Sequence, residues 1–247
     1  MKKGYWIVVQ DIIRKSDIVL EVLDARFPEL TRIRRLEEYV SFHGKKLIIV
    51  VNKADIISVH KIKNLKKNYK EYVLLSTKNS KGISELIRRI RNIKIKKPRL
   101  AVIGYPNTGK SSLINRLSRG GRARTSSESG FTRGIQFISG KSGIMLIDTP
   151  GIVPFKDRDE LRLGLVSGIS PSKLEDPYMV AYKLIGMFIE ENPYALRICY
   201  DINAETPEDF LDGFGKKNNM LLKGGIVDET RAAIKILNDW HEGKIKL

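Results

Sequence analysis

The chain of 247 residues contains one cysteine, few acidic residues and no long apolar run. With Cys199 alone, an intramolecular disulfide is excluded, which is typical of proteins from a reducing compartment. The first apolar run, residues 7–9, ends at Gln10 and Asp11, so no signal peptide is indicated, and no later run is long enough to span a membrane. We therefore expect a soluble, cytoplasmic protein without a membrane partner.

Acidic residues are scarce mainly in the first part of the chain. The whole sequence has 45 Lys and Arg against 28 Asp and Glu, a net charge of +17. Residues 1–156 contain 33 basic and 12 acidic residues, a net of +21, whereas residues 157–247 contain 12 and 16, a net of −4. The length allows one α/β domain and a smaller second one, and we place them at 1–156 and 157–247. The charge of the first favours a polyanionic partner.

Residues 104–111, GYPNTGKS, match the phosphate-binding pattern GxxxxGK[ST]. Its two glycines let the backbone turn around phosphate oxygens, Lys110 supplies a cation for the β- and γ-phosphates, and Ser111 supplies a hydroxyl ligand for Mg²⁺. An apolar strand precedes the loop and an amphipathic helix follows it, so that the helix N-terminus faces the anion. The residues expected to contact the phosphates are Asn107, Thr108, Gly109, Lys110, Ser111 and Ser112.

Residues 52–55, NKAD, indicate which base is bound. An ionised aspartate only accepts hydrogen bonds, so Asp55 can satisfy the two adjacent donors on guanine, whereas adenine offers no such pair. The stem of Lys53 can cover the base plane, and Asn52 can either reach the purine edge or tie this loop to the phosphate loop. The alternative is a polar turn in which Asp55 caps the next helix. Together with a phosphate loop, the motif predicts GTP and GDP as ligands.

A weaker signal is the segment Ser76, Thr77 and Lys78, which follows another apolar strand. It lies where a GTPase places a short loop that contacts guanine mainly through backbone N–H groups. On its own the segment is only the end of a strand.

Residues 148–151, DTPG, follow a further apolar strand. Asp148 would hold Mg²⁺ through water, and the N–H of Gly151 would sense the γ-phosphate. Upstream we place the switch threonine at Thr132, where it would complete the Mg²⁺ shell when the γ-phosphate is present. Thr125 is the alternative.

The position after this turn usually carries a glutamine that orients the attacking water, and here it is Ile152. Two explanations stay open. Hydrolysis is slow until a partner completes the site, or Asn107 helps to ligate a monovalent cation that does the work of an arginine finger. Asn107 could also serve only to shape the loop. The residues expected to act in hydrolysis are Lys110, Asn107, Thr132 and Gly151.

The base motif precedes the phosphate loop in this chain, the reverse of the usual order. This order resembles the circularly permuted GTPases of the YlqF/RbgA type, whose members assist large ribosomal subunit assembly. Residues 24–28, DARFP, match the family's DARxP segment, and residues 223–243 are similar to its tail. The resemblance implies potassium-stimulated hydrolysis with Asn107 as a K⁺ ligand. Bacterial members carry an N-terminal histidine that is absent before His43 here, so we assign no catalytic histidine.

The expected fold is a circularly permuted, three-layer, Ras-like P-loop GTPase domain of the α/β class, followed by a smaller all-α domain. Five parallel strands and one antiparallel edge strand are predicted, the last two joined by a hairpin at residues 140–142. The apolar periods predict helices at 5–15, 31–42, 60–69 and 83–93, and strands at 18–23, 47–51, 72–76, 99–103, 135–139 and 143–147.

We expect a GTP-hydrolysing switch that binds rRNA and the large ribosomal subunit or its precursor, not DNA, and is monomeric off the ribosome. The alternative is a guanine-nucleotide-dependent RNA-binding module, or a GTPase acting on tRNA or in stress signalling, in which hydrolysis is incidental. A shift at Gly151 could also move the helical domain. Phosphate contacts are expected from three basic stretches, at residues 61–70, 88–97 and 119–124.

Overall fold

The computed structural model describes residues 3–69, 71–118, 137–147 and 159–246, which fall into two compact units. The first unit comprises residues 1–55 and 59–156, and the second comprises residues 157–247 together with Ile56–Ser58. The segment Ile56–Ser58 lies within the predicted first domain but clusters with the second unit. The boundary at residues 156–157 lies outside the described residues and stays a prediction.

The first unit is built on a six-stranded sheet. Strand β1 lies at its centre, and all seven of its residues are buried, as expected for a parallel strand covered on both faces. The strand order is β3-β2-β1-β4-β6-β5, in which only β5 runs antiparallel to its neighbour. The prediction of five parallel strands and one antiparallel edge strand is thus confirmed. The strands are β1 (Ile18–Asp24), β2 (Lys46–Asn52), β3 (Val73–Leu74), β4 (Arg99–Gly104), β5 (Phe137–Ser139) and β6 (Met145–Ile147).

Helices flank this sheet and close its core. The apolar side of α5 is an example, since Ile83, Leu86 and Ile90 recur at helical spacing and are buried among residues of the strands. The helices of this unit are α1 (Lys3–Lys15), α2 (Pro28–Thr31), α3 (Arg34–Phe42), α4 (Val59–Asn68), α5 (Ile83–Asn92) and α6 (Lys110–Leu117). The three-layer α/β architecture agrees with the prediction.

The single helix predicted at residues 31–42 was wrong, because two helices occupy this region. Arg32 between them has an extended backbone, with ψ of 137°. The carboxylate of Glu21, buried in β1, accepts a hydrogen bond from the Ile33 N–H at 2.7 Å, directly before α3. A buried acceptor from another element therefore fixes the backbone directly before α3, which apolar spacing does not reveal.

The sheet margins also differ from the prediction. The strand predicted at residues 72–76 is reduced to β3, with only two residues, because only Val73 and Leu74 pair with β2. The strand predicted at residues 135–139 begins at Phe137 in the described chain. The hairpin between β5 and β6 is confirmed, and its link contains a short 3₁₀ turn at Lys141–Gly143.

The second unit is helical, as predicted. Its core includes Trp240, which is fully buried, donates a hydrogen bond from Nε1 to the Leu165 carbonyl at 2.8 Å, and lies edge-on to Phe188. Acidic or hydroxyl side chains cap four helix N-termini, which accounts for part of this unit's acidity; they are Asp159, Asp176, Thr206 and Asp228. The helices described are α7 (Glu160–Leu165), α8 (Pro177–Glu191), α9 (Pro193–Tyr200), α10 (Pro207–Lys217) and α11 (Glu229–Glu242).

In the described ranges, every helix is too short or too polar to cross a membrane.

Candidate nucleotide-binding site

The sheet order brings the sequence motifs to one edge. Strands β2, β1 and β4 are parallel neighbours, with Asp24 opposite Asn52 and Val22 opposite Gly104. The base motif follows β2 and the phosphate loop follows β4. Because the carboxyl ends of parallel strands form one edge, these loops meet although about 50 residues of sequence separate their motifs.

Two glycines make the phosphate loop compact. A Cβ atom on Gly104 would lie 2.3 Å from the carbonyl oxygen of Val22, and one on Gly109 would lie 2.1 Å from Nδ2 of Asn52. Gly109 also has a φ of +94°, which favours glycine. The loop backbone can therefore approach a ligand closely, as phosphate binding requires.

Lys110 begins α6 at the end of the loop and is only 6% exposed. Its ammonium group donates to the carbonyl oxygen of Tyr105, which also accepts from the Thr108 hydroxyl at 3.0 Å. Ser111 follows on the first turn of α6. A buried cation at a helix N-terminus is a donor set suited to polyphosphate, and the adjacent hydroxyl is suited to Mg²⁺.

Asn52 connects three loops. Its side chain is fully buried, and its Nδ2 donates to the carbonyl oxygen of Thr108 at 2.8 Å. Its Oδ1 accepts from the backbone N–H of Thr77 at 3.1 Å. Of the two roles considered for Asn52, the structure has the one in which it ties the base motif to the phosphate loop.

Asp55 is half-buried and accepts a hydrogen bond from the hydroxyl of Ser76 at Oδ1, at 2.5 Å. Within the described chain, its carboxylate makes no hydrogen bond to the N-terminus of α4, so the alternative of a helix cap is not what the structure has. Its free lone pairs can accept two adjacent donors such as those on the guanine edge.

The segment Ser76–Lys78 is held in place by a residue that the sequence analysis missed. Arg116 on α6 donates from Nε to the carbonyl oxygen of Thr77 at 2.8 Å, and from a terminal nitrogen to that of Lys78 at 3.0 Å. These bonds occupy two carbonyls, and since the N–H of Ser76 donates to Lys81 and that of Thr77 to Asn52, the N–H of Lys78 is the one left for another partner within the described residues. No sequence pattern marks Arg116, because its role depends on α6 lying beside this loop.

Lys53 reaches the end of β1. Its backbone has φ of +67°, and its ammonium lies 2.8 Å from Oδ2 of Asp24, which also binds Arg26. In the sequence, Asp24 and Arg26 stand out only through the family resemblance. Their position at the end of a buried strand, beside the strand that carries the base motif, is the signal that could have placed them at the site.

Several predicted site residues lie outside the described residues. They are Thr125, Thr132, Asp148, Gly151 and Ile152, together with the basic residues at 119–124. Among the residues that are described, no group of three or more His, Cys, Asp and Glu side chains could hold a metal ion. Because Thr132 and Asp148 lie outside the described residues, Ser111 is the one predicted Mg²⁺ ligand within them.

Comparison with protein families matches residues 99–176 to the family described as 50S ribosome-binding GTPase. This segment includes β4, the phosphate loop and α6.

Two curated relatives match almost the whole chain. An uncharacterized GTP-binding protein of Methanocaldococcus jannaschii is 35% identical over 245 residues, covering 96% of this chain and 65% of the relative. Nuclear GTP-binding protein NUG1 of Saccharomyces cerevisiae is 30% identical over 288 residues, covering 99% of this chain and 55% of the relative. The chain thus spans between about half and two thirds of the length of these relatives.

Solved structures of YlqF from T. maritima are similar over nearly the whole of both chains. The GNP-bound form has a TM-score of 0.66 and covers 99% of this chain and 97% of that one, and the GDP-bound form has a TM-score of 0.68 and covers 97% of each. Both are 26% identical in sequence. With the permuted motifs and the sheet order described above, these matches place the chain among the circularly permuted GTPases of the YlqF type.

Proposed function

We propose that the chain binds GTP and GDP at this site and hydrolyses GTP as a switch in assembly of the large ribosomal subunit. The observation that carries the proposal is the Asn52 side chain, which holds the base motif, the phosphate loop and the Ser76–Lys78 segment together. The family description and the nucleotide-bound YlqF structures support it. A cytoplasmic location stays a prediction, since the S. cerevisiae relative is named as a nuclear protein.

In this proposal each part of the site has a separate task. Asp55 accepts from guanine, Lys53 covers the base plane, and the segment Ser76–Lys78 offers the backbone N–H of Lys78. Lys110 and the backbone of Asn107–Ser112 bind the phosphates. Mg²⁺, when bound, neutralises charge on the β- and γ-phosphates, and the residues assigned to hold it are Ser111, Thr132 and Asp148, with Gly151 contacting the γ-phosphate.

Hydrolysis without a glutamine is assigned to a potassium ion held in part by Asn107. Asn107 has a left-handed backbone, with φ of +57°, in the phosphate loop. Its amide oxygen is a ligand type that hard cations accept, and a cation there would offset charge on the transferring phosphoryl group. Ile152 offers no polar group for water at the usual position.

Multiple-turnover GTP hydrolysis tests the proposal directly. Rates are measured in KCl and in NaCl, with and without large-subunit particles, and Lys110→Ala is the control that lacks the phosphate-binding cation. We expect hydrolysis to be faster in KCl and with particles. Nucleotide binding without stimulation by either would contradict the switch mechanism.

The RNA contact is assigned to α4. This helix has no buried residue and no acidic residue, and Lys63, Lys66 and Lys67 on it are exposed. Within the described chain these three lysines make no ion pair or hydrogen bond. The apolar side of this helix, Ile62 and Leu65, is only half-buried, and these three lysines lack the compensating pairs that usually stabilise a polar helix.

The second basic stretch differs in part, because its arginines already have partners within the chain, whereas Lys94, Lys96 and Lys97 are exposed and their side chains make no ion pair or hydrogen bond in the described residues. On α5, Arg88 and Arg89 both pair with Glu85, and Arg91 donates to the hydroxyl of Ser142. Charges with intramolecular partners contribute less to binding a polyanion, since those pairs must be given up or shared. Lysines without partners release only counterions from the RNA, and α4 is chosen because three of them lie together on one helix.

A further inference from the structure

The turn after β1 lies between the two loops assigned to the nucleotide. β1 pairs with β2 on one side and with β4 on the other, and its last residue, Asp24, is opposite Asn52. The backbone N–H of Ala25 donates to the carbonyl oxygen of Asn52 at 2.8 Å. The turn is therefore bonded to the base motif through its backbone as well as through side chains.

The carboxylate of Asp24 collects four donors. Its Oδ1 accepts from the backbone N–H and from Nε of Arg26, each at 3.0 Å. Its Oδ2 accepts from a terminal nitrogen of Arg26 at 2.7 Å and from the ammonium of Lys53 at 2.8 Å. The guanidinium thus binds both oxygens and orients the carboxylate toward Lys53.

This cluster is buried. The side chains of Asp24 and Arg26 are 1% and 0% exposed, and that of Lys53 is 19% exposed. Burial alone would raise the pKa of Asp24, but Arg26 and Lys53 hold it below its usual value. Burial lowers the pKa of Lys53, and Asp24 opposes that shift, with a smaller contribution from Asp55. Asp24 is therefore charged at neutral pH and favours the charged form of the ammonium beside it.

Two structural constraints then fix the side chain of Lys53. Its backbone is left-handed, with φ of +67°, and the far end of its side chain is bound to Asp24. With both ends held, the aliphatic stem between them has few rotamers left. A stem ordered in advance loses little conformational entropy when a flat ligand packs against it.

We propose that Asp24 is a positioning residue for the guanine base. It anchors the Lys53 ammonium so that the aliphatic stem lies where the base plane packs, and Arg26 holds the carboxylate in the required orientation. This inference rests on the guanine-nucleotide binding proposed above. The proposal gives residues 24–28, the DARFP segment, a role in holding the nucleotide rather than in contacting a macromolecular partner.

Dissociation of a fluorescent GDP derivative tests the role of Asp24. We expect Asp24→Asn to accelerate dissociation roughly tenfold, since a hydrogen bond to a charged group is lost. The matched control is Asp17→Asn. Asp17 makes the same type of pair with Arg99, at 2.7 Å, but lies before β1 at the opposite edge of the sheet. Asp17→Asn should leave dissociation unchanged.

A double-mutant cycle shows whether Asp24 acts through Lys53. Lys53→Met keeps an apolar stem but removes the ammonium that Asp24 binds. In the Lys53→Met background, Asp24→Asn should have no further effect on dissociation. The same roughly tenfold acceleration in both backgrounds would overturn the proposal, because Asp24 would then act on the site by another route.

Selectivity provides a readout that general loosening of the fold would not reproduce. Lys53 covers the base plane and does not read the exocyclic amine, so Asp24→Asn should weaken GDP and IDP equally. Asp55→Asn should weaken GDP more than IDP. A changed GDP to IDP ratio in Asp24→Asn would count against the assigned role.

The controls separate failure of this inference from failure of the proposed function. If wild-type protein binds no guanine nucleotide, the proposed function fails; if it binds and Asp24→Asn dissociates at the wild-type rate, only the inference fails. Thermal unfolding without nucleotide identifies variants that do not fold. If Asp24→Asn is one of them, Arg26→Lys replaces it in the cycle, with a smaller acceleration expected that again vanishes with Lys53→Met.

Discussion

At the scale of single residues, Gly109 shows how little space the site leaves. A side chain there would collide with Nδ2 of Asn52, the group that binds the carbonyl oxygen of Thr108. Relief of the collision would displace Asn52 and separate the loops that it joins. The requirement for glycine at this position thus has two causes, a left-handed backbone and a neighbour at 2.1 Å.

We predict that Gly109→Ala abolishes GDP binding and lowers the melting temperature. Gly224→Ala is the matched control, because Gly224 has a similar φ of +90° but no atom within 4 Å of the place that a Cβ would occupy. In the control, backbone strain alone should lower the free energy of unfolding, by on the order of 1 kcal/mol, and GDP binding should stay intact. Calorimetry and thermal unfolding measure both effects. Equal losses in the two variants would show that the contact with Asn52 is unimportant.

Glu21 is a second residue whose environment predicts a measurable effect. It is buried in β1, where its Oε1 accepts from Ile33 N–H and its Oε2 has no hydrogen-bond partner. Burial raises the pKa of Glu21 from 4.5 to about 8. The folded protein therefore holds a proton that the unfolded chain releases, and the free energy of unfolding falls as pH rises from 4.5 to about 8.

We predict that Glu21→Gln, which keeps the acceptor but cannot ionise, stabilises the protein above pH 8 by a few kcal/mol and changes stability little near pH 4.5. Urea unfolding of both proteins across this range measures the difference. Since all other titrating groups are common to both, a difference that does not depend on pH would show that Glu21 has the same pKa in the folded and the unfolded protein.

At the scale of secondary-structure elements, α4 is a helix with little buried apolar surface and several like charges. Lys63 and Lys67 are four residues apart on one face, so they repel each other, and the helix has no buried residue to compensate. Phosphates bound along this face would remove the repulsion. RNA binding and helix stability are therefore expected to be linked at α4.

We predict that changing Lys63, Lys66 and Lys67 together to Gln weakens binding to large-subunit RNA. The slope of log affinity against log salt concentration should fall by about 2, since each phosphate contact contributes somewhat less than one unit. The matched control is the change of three exposed lysines of the second unit, Lys173, Lys183 and Lys223, to Gln. Filter binding over a series of KCl concentrations gives both slopes. Equal slopes for the two triple variants would remove α4 from the interface.

The elements also show where apolar patterning was sufficient. The strands β1, β2 and β4 and the helices α1 and α5 lie within about two residues of their predicted positions. Each has a strong period or a continuous apolar run. The break between α2 and α3 and the short β3 were not predicted, because they depend on Glu21 in another element and on pairing at the sheet margin.

At the scale of the whole molecule, the base motif and the helical unit are joined through the chain. Asp55, assigned to guanine, is followed directly by Ile56–Ser58, which belong to the second unit. Within that unit, Ile56 packs against Gly243, where a Cβ would lie 2.8 Å from its Cγ2 atom. The two units are also joined covalently by the chain that follows Gly151, the residue assigned to the γ-phosphate.

We predict that nucleotide state alters protection in the helical unit. Hydrogen exchange is compared between GTP-analogue and GDP complexes, with Lys110→Ala as a control that receives the same nucleotides without binding them productively. Amides in Ile56–Ser58 and in residues 159–246 should differ between the two complexes of the wild type only. The absence of any difference there would show that the second unit does not respond to the nucleotide.

Local chemistry in the chain was enough to predict the nucleotide class and to find the permuted order, the parallel sheet and the helical second unit. These follow from glycines and a lysine at fixed spacing, an aspartate after an apolar strand, and apolar periods.

How the loops are held became evident only in the folded protein. Asn52 binds Thr108, Arg116 binds Thr77, and Asp24 binds Lys53. These partners lie between 29 and 56 residues apart, so no local pattern pairs them. They meet because parallel strands place successive loops at one edge of the sheet, where buried polar groups must find hydrogen-bond partners.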